Sequence, residues 1–121
     1  MISLCHELMR QILAKGNFII TDDYFVILGV VSEEFVNKMR SMSKEEVWLN
    51  LLREILSDNC SKDILVVLKI YGKLNVREIL RGVKDFRKIM KGVLYFDRND
   101  DWKFINWTQE KRGGENRWVG Y

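Results

Sequence analysis

The sequence contains no proline, one histidine and two cysteines among its 121 residues. Without proline, glycine and helix-capping side chains must mark the turns and helix ends. The histidine, His6, has no serine or cysteine partner in a nucleophilic arrangement, and adjacent helix positions such as Cys5 and His6 point about 100° apart. We therefore expect no metal site and no cofactor. Cys5 and Cys60 are expected to be reduced, since a chain with this much hydrophobic core needs no disulfide.

Long apolar segments are also missing. The longest apolar run, Tyr24 to Val31, is far shorter than the roughly 20 residues that a membrane helix requires. No apolar signal core follows Met1. The chain is 47% hydrophobic and 31% charged, which is a globular balance. These features predict a cytoplasmic protein with no membrane partner. They also predict one compact unit with a helical lobe over 1–60, a second lobe over 61–108 and a flexible basic tail over 109–121.

The net charge of +3 is unevenly distributed. Residues 1–60 carry six Lys/Arg and nine Asp/Glu, whereas residues 61–121 carry fourteen and eight. The segment from Lys69 to Lys91 alone holds eight basic and two acidic residues. A patch of this density attracts a polyanion at long range, and nucleic acid is the polyanion that supplies most charge. A solvated basic face without a partner is the alternative.

Helical periodicity dominates the N-terminal half. The pattern predicts a helix from Ile2 to Lys15 that Gly16 ends, a short strand over Phe18 to Ile20, and a helix through Leu28. Tyr24 to Val31 as a buried strand is the alternative for that last segment. Ser32 begins the next helix. Ser43 begins another in a capping box, "SKEE", and this helix reaches about Leu56. Its apolar face is wide enough for a central core helix or a dimer seam.

In the C-terminal half the pattern predicts helices over Lys62 to Tyr71, over "VREILRG" after the cap Asn75, and over "KDFRKIMKG". Periodicity then changes to extended, and "VLYF", a polar turn and "WKFINW" predict a β-hairpin. The predicted fold class is mainly α with a C-terminal β-hairpin (α+β). "GVVSEEFVNKMR" in the first half can be aligned with "GVKDFRKIMK" in the second, which suggests a helix-turn-helix-like unit in each half. Chance similarity of amphipathic helices explains the alignment equally well.

The order of three short helices and a hairpin over residues 62–107 resembles the winged helix-turn-helix DNA-binding family. The resemblance implies that the third helix lies in the major groove and that the hairpin wing touches the DNA backbone or the minor groove. Carried over by position, it implies DNA contacts from one set of helix residues, Lys84, Arg87, Lys88 and Lys91, and from one set of wing residues, Arg98, Asn99 and Lys103. Arg77 and Arg81 complete the candidate set. The expected function is a small transcriptional regulator that binds double-stranded DNA, as a homodimer, with no small-molecule substrate.

Three alternative functions remain open at this point. A metal-dependent nuclease would use Asp101-x-Lys103, an acid and a lysine on one strand. An interaction or inhibitor module would present its basic face to an acidic protein, with Trp48, Trp102, Trp107 and Trp118 available as anchors. A single-strand binder would stack bases on Trp102, Phe104 or Tyr95. The first of these makes the protein an enzyme, and the other two do not.

Overall fold

The computed structural model describes residues 2–82, 91–97, 102–112 and 115–120. Within these ranges the chain forms four helices, α1 (Ile2–Ala14), α2 (Glu33–Met39), α3 (Lys44–Leu56) and α4 (Val76–Gly82). It also forms six strands, β1 (Phe18–Ile20), β2 (Tyr24–Val31), β3 (Ile64–Gly72), β4 (Gly92–Asp97), β5 (Lys103–Arg112) and β6 (Glu115–Gly120).

The six strands form one sheet in which neighbours in sequence are neighbours in space, in the order β1-β2-β3-β4-β5-β6. Every pair is antiparallel except β3 and β4, which are parallel. A parallel pair cannot be joined by a tight turn, so the chain crosses from the end of β3 to the start of β4 through residues 73–91, which include α4. The fold is therefore a mixed sheet with helices, and the predicted mainly α, winged-helix-like class is wrong.

Helices cover both faces of the sheet. On the face that we call the three-helix face, α1, α2 and α3 pack over Ile27, Leu68 and Leu94. On the opposite face, which we call the α4 face, Ile79 of α4 packs with Val67 and Val93. Alternate residues of each central strand therefore contribute to two separate apolar clusters.

Strand β3 replaces the first helix of the predicted winged-helix unit. Its residues Ile64 to Leu68 are all buried, with exposures between 0% and 2%. A strand covered on both faces reads as a continuous apolar run, and periodicity alone cannot distinguish such a run from a buried helix. The β-branched residues Ile64, Val66 and Val67 favour the extended backbone, because their side chains are restricted in a helix.

Tyr24 to Val31 forms strand β2, not the helix predicted through Leu28. It pairs antiparallel with β3 along eight register positions. Val26, Ile27 and Val31 are buried, which explains the apolar run in the same way. The buried strand that the sequence left as the alternative is the one that forms.

The other N-terminal elements are confirmed. Helix α1 ends as predicted at a turn in which Gly16 has a φ of 76° and its N–H donates to the Leu13 carbonyl oxygen at 3.0 Å. Ser32 caps α2, its Oγ accepting from the Phe35 N–H at 3.1 Å. Ser43 precedes α3, but its side chain makes no capping hydrogen bond, so the predicted capping box does not form.

Helix α3 is a core helix. Val47, Leu51, Leu52 and Ile55 are buried in the cluster that α3 shares with α1 and the sheet. The wide apolar face is therefore covered within one chain, and the dimer seam that the sequence proposed for α3 is not available.

The C-terminal hairpin is confirmed as β4 and β5, with Tyr95 opposite Lys103 and Val93 opposite Ile105. Strand β5 continues to Arg112 and pairs with β6, in a region that the sequence assigned to a tail. Both cysteines are free thiols. Among the described residues, no helix has the length and apolarity needed to cross a membrane.

Candidate nucleic-acid interface

The crossover between the parallel strands β3 and β4 is the most basic segment of the chain. Residues 73–91 contain seven basic and two acidic residues. Helix α4, within this segment, begins after Asn75, whose side-chain oxygen accepts from the Arg77 N–H at 3.0 Å. Val76 and Ile79 fix its orientation by packing against the apolar cluster of the α4 face.

Arg77 and Arg81 lie on the outward side of α4, and both side chains are exposed. They are four residues apart, so they project from the same side of the helix about 5–6 Å apart at Cβ. Within the described residues neither guanidinium makes a salt bridge. An arginine that has no carboxylate partner keeps its fork of N–H donors available for a phosphate group.

Lys73 and Lys103 extend this basic surface. Both side chains are exposed. Lys103 precedes Phe104, which packs on the three-helix face, so the alternation of β5 places Lys103 on the α4 face. We call Lys73, Arg77, Arg81 and Lys103 the basic surface.

The opposite layer has the opposite balance of charge. Helices α1, α2 and α3 together contain six acidic and four basic residues. Among the described residues, the exposed cations Arg77, Arg81 and Lys103 thus belong to the α4 face, whereas the three helices of the opposite face carry an excess of acidic residues. A segregated arrangement of this kind orients the protein in the field of a polyanion.

An ion pair occupies the carboxyl ends of β3 and β4. Lys69 Nζ is 2.6 Å from Asp97 Oδ2, and the two residues are Cα partners in the parallel register. Their side chains are 21% and 7% exposed, respectively. Asp97 therefore neutralises Lys69, which contributes less to the basic surface than its position suggests.

Lys91 lies at the other end of β4, and its charge is also compensated. Its Nζ is 3.0 Å from both Glu33 Oε2 and Asp63 Oδ2, and these hydrogen bonds raise the pKa of Lys91. Its backbone N–H donates to the Asp63 carbonyl oxygen at 2.8 Å. The Glu33 N–H in turn donates to Asp63 Oδ1 at 3.2 Å. Lys91 thus links the start of β4 to the end of β2 and the start of β3.

The structure places Arg77, Arg81 and Lys103 of the predicted DNA contacts on the same face of the sheet, and it places Lys91 in a separate cluster with Glu33 and Asp63. Lys84, Arg87, Lys88, Arg98 and Asn99 lie outside the described residues, as does Asp101 of the nuclease hypothesis. Lys73 was not among the candidates. It follows Gly72 at the end of a strand that the sequence reading took for a helix, so nothing in the pattern separated it from other surface lysines.

The aromatic residues near the hairpin contribute to the core. Trp48 stacks on Phe96 with ring centroids 5.2 Å apart. Trp102 packs against the cluster of the three-helix face, with the Arg40 guanidinium 5.9 Å from its ring centroid. Phe104 packs in the same cluster. Trp102 and Phe104 therefore lie on the sheet face opposite the basic surface, whereas Tyr95 packs on the α4 face and is the register partner of Lys103.

A cavity of about 220 Å³ lies between α1, β2 and the end of α3. Lys62 lines it and donates to the carbonyl oxygens of Glu54 at 2.9 Å, Ile55 at 3.2 Å, and Ser57. Burial lowers the pKa of Lys62. Because its three N–H donors serve the end of α3, Lys62 acts as a helix cap.

Within the described ranges, no three His, Cys, Asp or Glu side chains are placed to hold a metal ion together. No protein-family model, curated protein or solved structure matches the chain.

Proposed function

We propose that this protein binds nucleic acid through its basic surface, and that double-stranded DNA is its ligand. The observation that carries the proposal is the segregation of charge. Arg77 and Arg81 project from the most basic segment of the chain, and the helices on the other side of the sheet carry more acidic than basic residues. Duplex DNA presents a closely spaced row of phosphates, which a surface of this kind attracts at long range.

The exposed arginines support phosphate contact. Two arginines one helical turn apart can each donate a bidentate pair of hydrogen bonds to neighbouring phosphates of one strand. Phosphate contacts position a protein on DNA but carry no sequence information directly. Binding through Arg77 and Arg81 alone is therefore expected to be insensitive to sequence.

The transcriptional role depends on residues beyond this surface. That role was expected from the winged-helix resemblance, which assigns a recognition helix to residues 84–91 and a wing tip to Arg98 and Asn99. We propose DNA binding alone, because a mixed sheet replaces the winged-helix arrangement that gave those residues their roles.

The test compares two charge reversals that change the net charge equally. One variant is Arg77→Glu/Arg81→Glu on the basic surface. The control is Lys38→Glu/Arg53→Glu, whose exposed side chains lie on α2 and α3. Fluorescence anisotropy with a short labelled duplex at low salt gives the dissociation constants, and circular dichroism confirms that both variants fold. We expect the first variant to weaken binding at least about tenfold, since each lost charge-assisted contact costs about 1.5–3 kcal/mol. The control should change binding by less than about threefold.

Three results would contradict the proposal. The first is a wild-type protein that does not bind the duplex at low salt. The second is an equal loss of affinity in the two variants, which would show that binding depends on net charge alone. Alternatively, an acidic polypeptide would compete as well as duplex at equal charge concentration, which points to an acidic protein as the partner. Parallel titrations of single-stranded DNA and of RNA identify the preferred nucleic acid.

A further inference from the structure

The cavity between α1, β2 and the end of α3 combines an apolar lining with an open polar rim. Its volume is about 220 Å³, which exceeds the roughly 150 Å³ that admits benzene. The buried side chains of Ile12 and Ile55 line it. Lys15 and Asn17, which also line it, are exposed, so the cavity opens to solvent on their side. It therefore has room and access for a small organic molecule.

The outer edge of β2 presents unpaired backbone groups to this cavity. Strand β1 pairs with β2 only as far as Ile27, and just beyond it the Leu28 N–H donates to the Asn17 carbonyl oxygen at 2.8 Å. Hydrogen-bonding groups alternate along a strand, so those of Val30 point to the same side as those of Leu28, away from β3. Val30 is half-buried and lines the cavity. Within the described part of the chain, no residue bonds to its N–H or C=O, which a bound molecule can therefore satisfy.

The charge that faces this cavity is positive. Lys15 and Lys62 line it, and none of the described residues that line it is acidic. Lys62 Nζ is held by three carbonyl oxygens at the end of α3, so it supplies charge but no free donor. Lys15 makes no salt bridge to any residue that the structure describes. Its Nζ is therefore available to an anion.

The two ammonium groups disfavour each other. Burial lowers the pKa of Lys62, and the charge of Lys15 lowers it further, while Glu54 and Asp58 act in the opposite direction. The Glu54 carboxylate accepts from Ser32 Oγ at 3.3 Å and does not line the cavity. An anion between Lys15 and Lys62 would reduce their repulsion, whereas a cationic ligand would add to it.

We propose that the cavity binds a small monocarboxylate whose apolar body is about the size of a benzene ring. Its carboxylate accepts hydrogen bonds from the Val30 N–H and from Lys15 Nζ, and Lys62 strengthens the attraction through its charge. The apolar body packs against Ile12 and Ile55 and is removed from water. The site lies on the three-helix face, so this proposal is independent of DNA binding by the basic surface.

Titration of isotope-labelled protein with benzoate, followed by amide NMR spectra, tests the proposal because the Val30 N–H is observed directly. We expect a saturable shift of the Val30 signal with a dissociation constant in the millimolar range, as is usual for a ligand of so few atoms. Benzamide keeps the ring without the charge, and acetate keeps the charge without the ring. Each should bind at least about tenfold more weakly than benzoate, because it lacks the charge-assisted bonds or the apolar burial.

Three lysine variants test the contacts of the carboxylate. Lys15→Gln should weaken benzoate binding at least about threefold, and Lys15→Arg, which keeps the charge, should bind like the wild-type protein. The control is Lys38→Gln, which removes the same charge from α2 and should leave the affinity unchanged. Both positions are exposed, so the melting temperatures should match that of the wild-type protein.

The absence of a saturable shift at Val30 with benzoate would overturn the inference. Benzamide or acetate binding as tightly as benzoate would do the same, since the carboxylate or the apolar lining would then play no part. So would a Lys15→Gln variant with wild-type affinity, a Lys15→Arg variant that binds no better than Lys15→Gln, or an equal loss of affinity in Lys38→Gln.

Discussion

Two glycines of this protein adopt positive φ angles in different surroundings. Gly16 has a φ of 76°, and a Cβ added there would meet nothing within 4 Å. Gly72 has a φ of 92°, and a Cβ there would lie 2.0 Å from the Asp23 carbonyl oxygen and 2.6 Å from the Tyr24 Cα. Only the conformation excludes a side chain at Gly16, whereas conformation and close backbone approach both exclude one at Gly72.

Alanine substitution should separate these two effects. We expect Gly16→Ala to lower the free energy of unfolding by about 1–2 kcal/mol, the cost of the left-handed conformation. Gly72→Ala should cost about 2–5 kcal/mol, because the backbone of the β2–β3 pair must also move. Urea denaturation monitored by circular dichroism measures both values. Equal losses for the two variants would show that the close approach at Gly72 has no energetic effect.

At the scale of elements, helices α2 and α3 both follow a serine, but only one serine acts as a cap. Ser32 is 4% exposed, accepts from the Phe35 N–H and donates to Glu54 Oε1 at 3.3 Å. Ser43 makes no capping bond through its side chain. We therefore expect Ser32→Ala to lower the free energy of unfolding by about 1–2 kcal/mol, and Ser43→Ala to lower it by less than about 0.5 kcal/mol. Urea denaturation of the two variants measures this difference, and an equal loss in both would contradict the assigned cap.

Elements with an amphipathic pattern or a marked end were predictable from the sequence. The spacing of Leu8, Ile12 and neighbouring residues predicts α1, and the change of period after Gly92 predicts the hairpin. The central strands were not predictable in the same way. In β3, alternate residues from Ile64 to Leu68 are buried in the two apolar clusters on opposite faces of the sheet. All five are therefore apolar, and the sequence shows no alternation of apolar and polar residues that would indicate a strand.

The incorrect prediction of β3 as a helix also affected the prediction of the DNA-binding site. With β3 taken as a helix, residues 62–91 became three helices, and the basic charge was assigned to the third. In the sheet, the same charge belongs to a crossover between parallel strands. Arg77 and Arg81 keep an outward position in either fold, because Asn75 caps α4 and Ile79 is apolar in both readings. The position of Lys91 was not predictable, since its partners are Glu33 at the start of α2 and Asp63 just before β3, which only the tertiary fold brings together.

At the scale of the whole molecule, the separation of charge between the two faces has a measurable consequence. Binding that releases condensed counterions weakens with salt, and the slope of log affinity against log salt concentration changes by about 0.9 for each phosphate neutralised on duplex DNA. Counterion release depends on the cations in contact with DNA. The net charge of the protein does not set this slope, so it distinguishes contact residues from distant ones.

Neutral substitutions are suited to this measurement because they add no repulsion. Arg77→Gln/Arg81→Gln should lower the magnitude of the salt slope by about two, one for each lost phosphate contact. Lys38→Gln/Arg53→Gln removes the same charge from the three-helix face and should leave the slope of the wild-type protein unchanged. Affinities for one labelled duplex at four or more salt concentrations give the three slopes. Equal slopes for all three proteins would mean that the α4 arginines do not touch the phosphates, even if duplex binding itself is observed.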